Sequence, residues 1–510
     1  MNRNTMRRLV MLVMILGAFA TDSFAADKPN ILFAIADDAT WRHFGAYGCE
    51  FVETPNFDRV AKQGVLFKNC YTTNPKCSPS RATILTGRNT WELEDSCNHF
   101  GIFWNKFKVY PDLLEADGYH IGHTGKGWWP GDFQTGGFKR NPAGPVYNKA
   151  KLDPPTSSIS KTDYTENFRT FLSERTTGQP FYFWYGGNEP HRSYEFGTGR
   201  KVGGKKLEDA EVPPYLPDEE IVREDILDYA LEIEWFDKHL GQMLQMIEAA
   251  GELDNTLVVV TSDNGMPFPR VKGQIYDDDF HMPMAACWGK HIKGGRVVDD
   301  FISFSDLAPT FLEAAGIEPQ HKITGRSFMD ILRSENSGQI DPTRNFIVVG
   351  KERHDRGRPN MEGYPVRAIR NESFMYAVNF EPDRWPACDP PGFGNIDGSP
   401  TKRRIIEMHE QGNSMYWDFA MGKRPAEELY RIDRDSHCIN NLANQPEYAE
   451  TKAQLRNQMF ELLKQQEDPR ALGNGAVFDR FEYGSFNGKS KQRVEEASRK
   501  IGNRKPKGRQ

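Results

Sequence analysis

Three apolar runs in this chain each stop on a cluster of polar residues, and that repeated pattern restricts the fold more than any other feature. Pro29-Asn30-Ile31-Leu32-Phe33-Ala34-Ile35-Ala36 closes on Asp37-Asp38. Phe181-Tyr182-Phe183-Trp184-Tyr185 closes on Gly186-Gly187-Asn188-Glu189-Pro190-His191-Arg192, and residues 256–260 close on Thr261-Ser262-Asp263-Asn264-Gly265. Near-continuous apolar runs of this length read as strands covered on both faces, the signature of a parallel sheet. Open α/β sheets place ligands beyond the carboxyl ends of their strands, where these clusters fall. The expectation is an α/β chain with a large, mixed but mostly parallel sheet flanked by helices.

Helix signals fill the intervals: a short helix opening at Thr54-Pro55, one over 111–116, and a long amphipathic one over 225–249. In the last, Ile226, Leu227, Ala230, Ile233, Phe236, Leu240 and Leu244 form the apolar side, with Glu232, Glu234 and Lys238 on the solvated face and Gly251 at the C-terminal stop. A strand over 119–124 runs into Gly125-Lys126-Gly127-Trp128, where glycines let a lysine approach a ligand. Further helices are expected over 306–315 and 327–332. Near residue 345 the texture changes to short strands (366–370, 374–378, 428–433) separated by Pro/Gly-rich loops such as 383–400, with a helix around 447–466. The organisation read from this is 1–25 a signal peptide, 26–344 a catalytic domain, 345–470 a smaller α+β domain with a short antiparallel sheet, and 471–510 a tail, flexible at its basic end.

A length of 510 residues accommodates both units, and 38% apolar with 12% aromatic residues supports packed cores. A net charge of −6 gives no argument for nucleic acid or anionic membranes as partners, so any basic site must be local. Arg3, Arg7 and Arg8 precede the apolar stretch 9–20, and Ser23-Phe24-Ala25 suits cleavage, which predicts export to a periplasm or medium and no membrane attachment afterwards. Seven cysteines occur without zinc-ligand spacing, and no pairing follows from sequence.

The stretch Cys77-Ser78-Pro79-Ser80-Arg81-Ala82-Thr83-Ile84-Leu85-Thr86-Gly87 reads as a loop entering a helix from Ser80. That places Cys77 at the positive end of a helix, with Arg81 a turn in and able to fork onto an oxyanion. Asp37, Asp38, Asp263 and Asn264 offer an all-oxygen ligand set, which suits a hard cation such as Ca²⁺ or Mg²⁺. Lys126 and Lys272 add positive charge, and His191, beside Glu189 and Arg192, is placed for proton transfer.

The eleven residues from Cys77 to Gly87 resemble the signature of the type I sulfatases. The resemblance implies an alkaline-phosphatase-like fold, one Ca²⁺ ion, and oxidation of Cys77 to Cα-formylglycine by a maturation enzyme that reads C-x-P-x-R. As a geminal diol, residue 77 would attack sulfur with one hydroxyl, and the second would collapse the intermediate to aldehyde and expel sulfate. It further implies that Asp37, Asp38, Asp263 and Asn264 hold the metal, and that Lys126, His191 and Lys272 contact sulfate or protonate the leaving group. One departure stands out: Trp128 occupies the position where many sulfatases carry a histidine. His123, inside the expected strand, is no clear replacement. The segments 189–192, 261–269, 363–367 and Asn379-Phe380 are most similar to those of the heparan N-sulfatases, which implies the N-sulfate of a terminal glucosamine as target. Lys351, Glu352, Arg353 and His354, entering from the smaller domain, are the expected readers of sugar groups, and Glu189 and Arg192 join them. The alternatives are an O-sulfatase on another sulfated polysaccharide, a phosphatase or phosphodiesterase of the alkaline-phosphatase superfamily, and an inactive glycan-binding relative. A homodimer is left open.

Overall fold

The computed structural model describes residues 28–481 and 483–484; the expected signal peptide and the basic end of the tail lie outside the described residues. Eight strands form the large sheet: β1 (Asn30–Ala36), β2 (Val65–Tyr71), β3 (His120–Gly125), β4 (Phe181–Gly186), β5 (Thr256–Ser262), β6 (His281–Met282), β7 (Met284–Cys287) and β8 (Arg296–Ser303). Their order is β3-β4-β1-β5-β7-β2-β6, with β8 paired to β2. β3, β4, β1 and β5 run parallel, as do β2 and β8, while β7 lies antiparallel between β5 and β2. The three apolar runs are thus the adjacent strands β4, β1 and β5, and their polar clusters leave the sheet side by side.

All seven residues of β1 are buried because both faces are covered. The pleat sends Leu32, Ala34 and Ala36 to one core and Ile31, Phe33 and Ile35 to the other. The first core takes side chains from α1 (Pro55–Gln63), α4 (Tyr164–Glu174) and α6 (Glu220–Ala249); the second takes them from α2 (Cys77–Thr86), α3 (Tyr110–Ala116) and α8 (Leu307–Ala314). Short α5 (Thr198–Lys201) packs on α6, and α7 (Asp277–Phe280) precedes β6.

α6 begins five residues earlier than expected, and its polar face is not all solvated. Lys238 is exposed, but Glu234 is half-buried against Lys205, at 2.5 Å, and Glu232 is buried outright. The reason is coverage: α5 and the helix Pro400–Glu410 lie over the side of α6 that faces away from the sheet. An apolar stripe marks the buried side only of a helix with one side in water.

The small sheet is antiparallel, β12-β11-β10-β9, built from β9 (Phe346–Lys351), β10 (Val366–Asn371), β11 (Phe374–Asn379) and β12 (Glu427–Arg431). One face packs Val349, Ala368 and Met375 toward the large unit; the other packs Ile369, Tyr376 and Leu429 on Leu455, Met459 and Leu463 of the helix Ala449–Gln465. Between β11 and β12 the chain leaves this sheet altogether. Ala387, Phe393, Ile396, Ile405, Ala420 and Met421 join the core of α6, and two helices, Pro400–Glu410 and Met415–Ala420, follow the Pro/Gly-rich stretch. No helix among the described residues is long and apolar enough to cross a membrane.

Candidate active site

The site lies beyond the carboxyl ends of β4, β1 and β5. Asp38, just past β1, takes a left-handed φ of +76°, a conformation a short polar side chain tolerates better than most. The backbone here is pinned: Asp37 N–H donates to the Glu189 carbonyl at 3.0 Å, and Asp38 N–H donates to Asp263 Oδ1 at 3.1 Å. α2 starts at Cys77, three residues before the expected Ser80, with Lys76 as its extended N-cap. All ten of its residues are buried, and it stops at Gly87, φ +66°, where an added Cβ would lie 2.9 Å from Ile323. Ser80 Oγ donates to the Asp263 carbonyl at 2.6 Å, tying the helix to the end of β5.

Cys77 Sγ sits 3.6 Å from Asp37 Oδ1 and 3.9 Å from Asp38 Oδ1. Each carboxylate around it has a cation of its own. Lys126 Nζ holds both Asp37 oxygens at 2.6–2.7 Å, Arg81 Nε donates to Asp263 Oδ2 at 2.8 Å, and Lys272 Nζ lies 2.6 Å from Asp38 Oδ2. Arg81 therefore does not present the free fork expected of it. Its Nη1 donates to the carbonyls of Lys126 and Gly127, and only Nη2 is left without a hydrogen bond, 3.6 Å from Asp37. His191 opens on the site with 37% of its side chain exposed; Nδ1–H donates to the Arg192 carbonyl at 2.6 Å, and Nε2 lies 3.8 Å from Asp38 Oδ2.

Burial dominates the electrostatics. It pushes the Asp37 carboxyl up to about 7 against the opposing pull of Lys126, and pushes the Cys77 thiol well above its ordinary value. Burial also raises Asp263, but Arg81 and Lys126 outweigh it and hold that carboxyl below the usual range. The pocket walls and then the Lys272 charge lower His191 to about 4.

Asp37, Cys77 and Asp263 bring ligand atoms within 4.8 Å of one another. Asn264 donates its Nδ2 to Asp38 Oδ1 at 2.8 Å, while its own Oδ1 is buried with no hydrogen bond. An orphaned amide oxygen beside three convergent buried carboxylates is the donor set a hard cation takes, so the residues present fit the expected metal.

Asp37, Cys77, Lys126, His191 and Lys272 line a cavity of about 880 Å³, together with Glu189, Arg192, Trp129 and Glu232. Glu189 accepts from Ser160 N–H at 2.8 Å and the Tyr164 hydroxyl at 2.7 Å; Arg192 grips both oxygens of Asp225 at 2.7–2.8 Å. Lys351, Glu352, Arg353 and His354 are placed differently from the expectation. All four are buried in the seam between the two sheets, and none lines the cavity. Lys351 Nζ donates to the Gly273 carbonyl, Glu352 pairs with Arg367 and Arg470, and His354 bonds Asn74 and Gly273. A run of charges on the last turn of a strand points inward here because the strand is clamped between two units.

The residue after that run does reach the cavity. Asp355 pairs with Lys76 at 3.0 Å and His99 at 2.9 Å, and all three line the wall. Asp397, from the stretch read as loop, bonds Lys272 at 2.9 Å. Neither carries a local signal, since each reaches the site only through the tertiary path of a long loop. Trp128 is buried and donates its indole N–H to the Ser78 carbonyl at 2.9 Å, bracing the start of α2. His123 is buried too, bonded to the Gly144 carbonyl at 2.9 Å, yet it lines the cavity where Trp128 does not.

A metal-fitting carboxylate cluster around Cys77, at the strand ends of a mostly parallel sheet, is an arrangement of the alkaline-phosphatase-like fold. The family model described as Sulfatase matches residues 29–317, and the chain belongs to the sulfatase family. It is 27% identical to an ulvan-active sulfatase of Formosa agariphila, over 93% of this chain and 81% of that one. It is likewise 27% identical to N-sulphoglucosamine sulphohydrolase of Homo sapiens, over 88% and 93%. Among solved structures, a protein in complex with its substrate D-glucosamine-2-N,6-O-disulfate superposes with a TM-score of 0.62 at 21% identity, over 86% of this chain and 98% of that one.

Proposed function

We propose that this sulfatase removes a sulfate group from a sulfated glycan, the N-sulfate of a terminal glucosamine in heparan-type chains, with residue 77 matured to Cα-formylglycine. The observation that carries the reading is Cys77 Sγ within 4 Å of both Asp37 and Asp38, on the wall of a cavity far larger than one sulfate. The half-exposed Trp129 ring on that wall suits the apolar face of a sugar.

Asp37, Asp38, Asp263 and Asn264 would hold a Ca²⁺ ion, which would supply fixed positive charge for the sulfuryl oxygens. The Lys126 and Lys272 ammonium groups pair with Asp37 and Asp38 at 2.6 Å and add positive charge at the sulfate position. Because Nδ1–H of His191 is committed to a carbonyl, Nε2 is the atom that delivers a proton to the departing group. Its pKa is low in the empty cavity, and the negative charge of a bound sulfate opposes that shift, so the proton is best held when substrate is present. With α2 buried along its whole length, the maturation enzyme would read C-x-P-x-R before the fold closes. Export of an unfolded chain that carries its signal peptide would fit this order of events.

The tryptic peptide 77–81 from the native host tests the reading. A formylglycine mass supports it, and unmodified cysteine in active protein overturns it. Asp263→Asn should remove bound metal and cut turnover on the order of a hundredfold or more; full turnover would sink the ligand assignment. The 26% identity to an N-acetylglucosamine-6-O-sulfatase of Bacteroides thetaiotaomicron, over 62% of this chain and 72% of that one, favours a second reading, an O-sulfatase. A panel of N- and O-sulfated saccharides separates the two by which sulfate is released.

A further inference from the structure

Glu232 lies midway along α6, and its carboxyl lines the cavity while the residue is only 3% exposed. Neighbouring Glu189 has both oxygens engaged, but among the described residues Glu232 makes no hydrogen bond and no ion pair, which leaves its carboxyl to the cavity. Arg192, whose positive charge pulls against the burial of Glu232, is committed to Asp225 and to the Pro267 carbonyl at 2.8 Å. Buried carboxyls without partners are destabilising, and a fold keeps one where a ligand completes it.

We propose that Glu232 reads the sugar that carries the sulfate, its carboxyl accepting a hydrogen bond from a hydroxyl or amine of that ring. Burial, with Glu189 adding to it, pushes this carboxyl well above the ordinary range. That shift favours the protonated carboxyl, which can both accept from and donate to a sugar hydroxyl. The inference rests on the reading of the cavity as a saccharide site, and the test keeps the two apart.

Glu232→Met and Glu232→Gln are made in the full chain, and kcat and KM are measured on N-sulfoglucosamine and on 4-methylumbelliferyl sulfate, which has no sugar hydroxyls. The Met variant should raise KM for the saccharide about tenfold with kcat held, lowering the saccharide-to-aryl preference by the same factor. The Gln variant, which keeps a donor and an acceptor, should lose less. Tm of the Met variant should rise, because an unsatisfied polar group has gone. An unchanged preference, or an equal loss on both substrates with a fall in Tm, overturns the proposal and makes Glu232 structural. If the wild-type protein cleaves neither sulfate, the N-sulfoglucosamine reading fails. The role of Glu232 is then judged by NMR-detected binding of glucosamine and glucose. Weakening of both sugars by Glu232→Met assigns a hydroxyl and weakening of glucosamine alone assigns the amine, while no binding, or no weakening, overturns the role.

Discussion

The His43 ring is buried against Phe51 and Tyr229, with Nδ1 3.2 Å from the Tyr229 hydroxyl, and burial lowers its pKa to about 4. In an unfolded chain the same imidazole titrates near 6.5. On acidification the unfolded state takes the proton first, so stability is lost as pH falls below about 6.5, and that loss levels off near 4. His43→Phe removes the linkage. The stability difference between wild type and variant should move in the variant's favour by about 3 kcal/mol between pH 7 and pH 4. Denaturant unfolding at both pH values checks this, and a constant difference would mean the ring is charged inside the fold. At the same scale, Asp37, Asp38, Asp263, Asn264 and Cys77 were legible because each follows a strand or opens a helix that its own neighbours in sequence specify. Asp397, Asp355 and Glu232 were not, because what surrounds them comes from chain far away.

At the scale of elements, β10 shows what the seam between the sheets depends on. Arg367 is wholly buried, with Nε 2.8 Å and Nη2 3.0 Å from Asp468, and Nη2 2.9 Å from Glu352. Glu352 in turn pairs with Arg470 at 2.7 Å. This network joins the strand pair β9–β10 to the segment after the helix Ala449–Gln465, and it accounts for the inward turn of the Lys351–His354 run. Arg367→Leu leaves Asp468 buried without its cation and should cost about 3–5 kcal/mol, seen as a lower Tm in a thermal scan. Retention of the wild-type Tm would show that the network contributes nothing net. A strand rich in charge reads as an exposed edge from sequence alone, since the partners that neutralise it lie about a hundred residues away.

Across the whole molecule, three carboxylates converge from the ends of β1 and β5, and the lysines that balance them come from β3's end and from the chain beyond β5. Like charges gathered in a buried place are stabilised by a cation bound only in the folded state. Chelation should therefore lower Tm and abolish activity together, with Ca²⁺ restoring both more fully than Mg²⁺, whose demand for near-ideal octahedral geometry this carboxylate set meets less well. A Tm indifferent to chelator would remove the metal from the account. The α/β class, the central parallel strands, the helix behind Cys77 and the polar clusters at the strand ends all follow from local pattern, because burial on both faces and strand–helix alternation are written into neighbouring residues. Folding alone set the inward turn of residues 351–354, the commitment of Arg81 to Asp263, the return of 383–421 onto α6, and the exposure of Glu232 to the cavity. Those features depend on which distant surfaces come to cover an element, and the residues of that element do not encode their own cover.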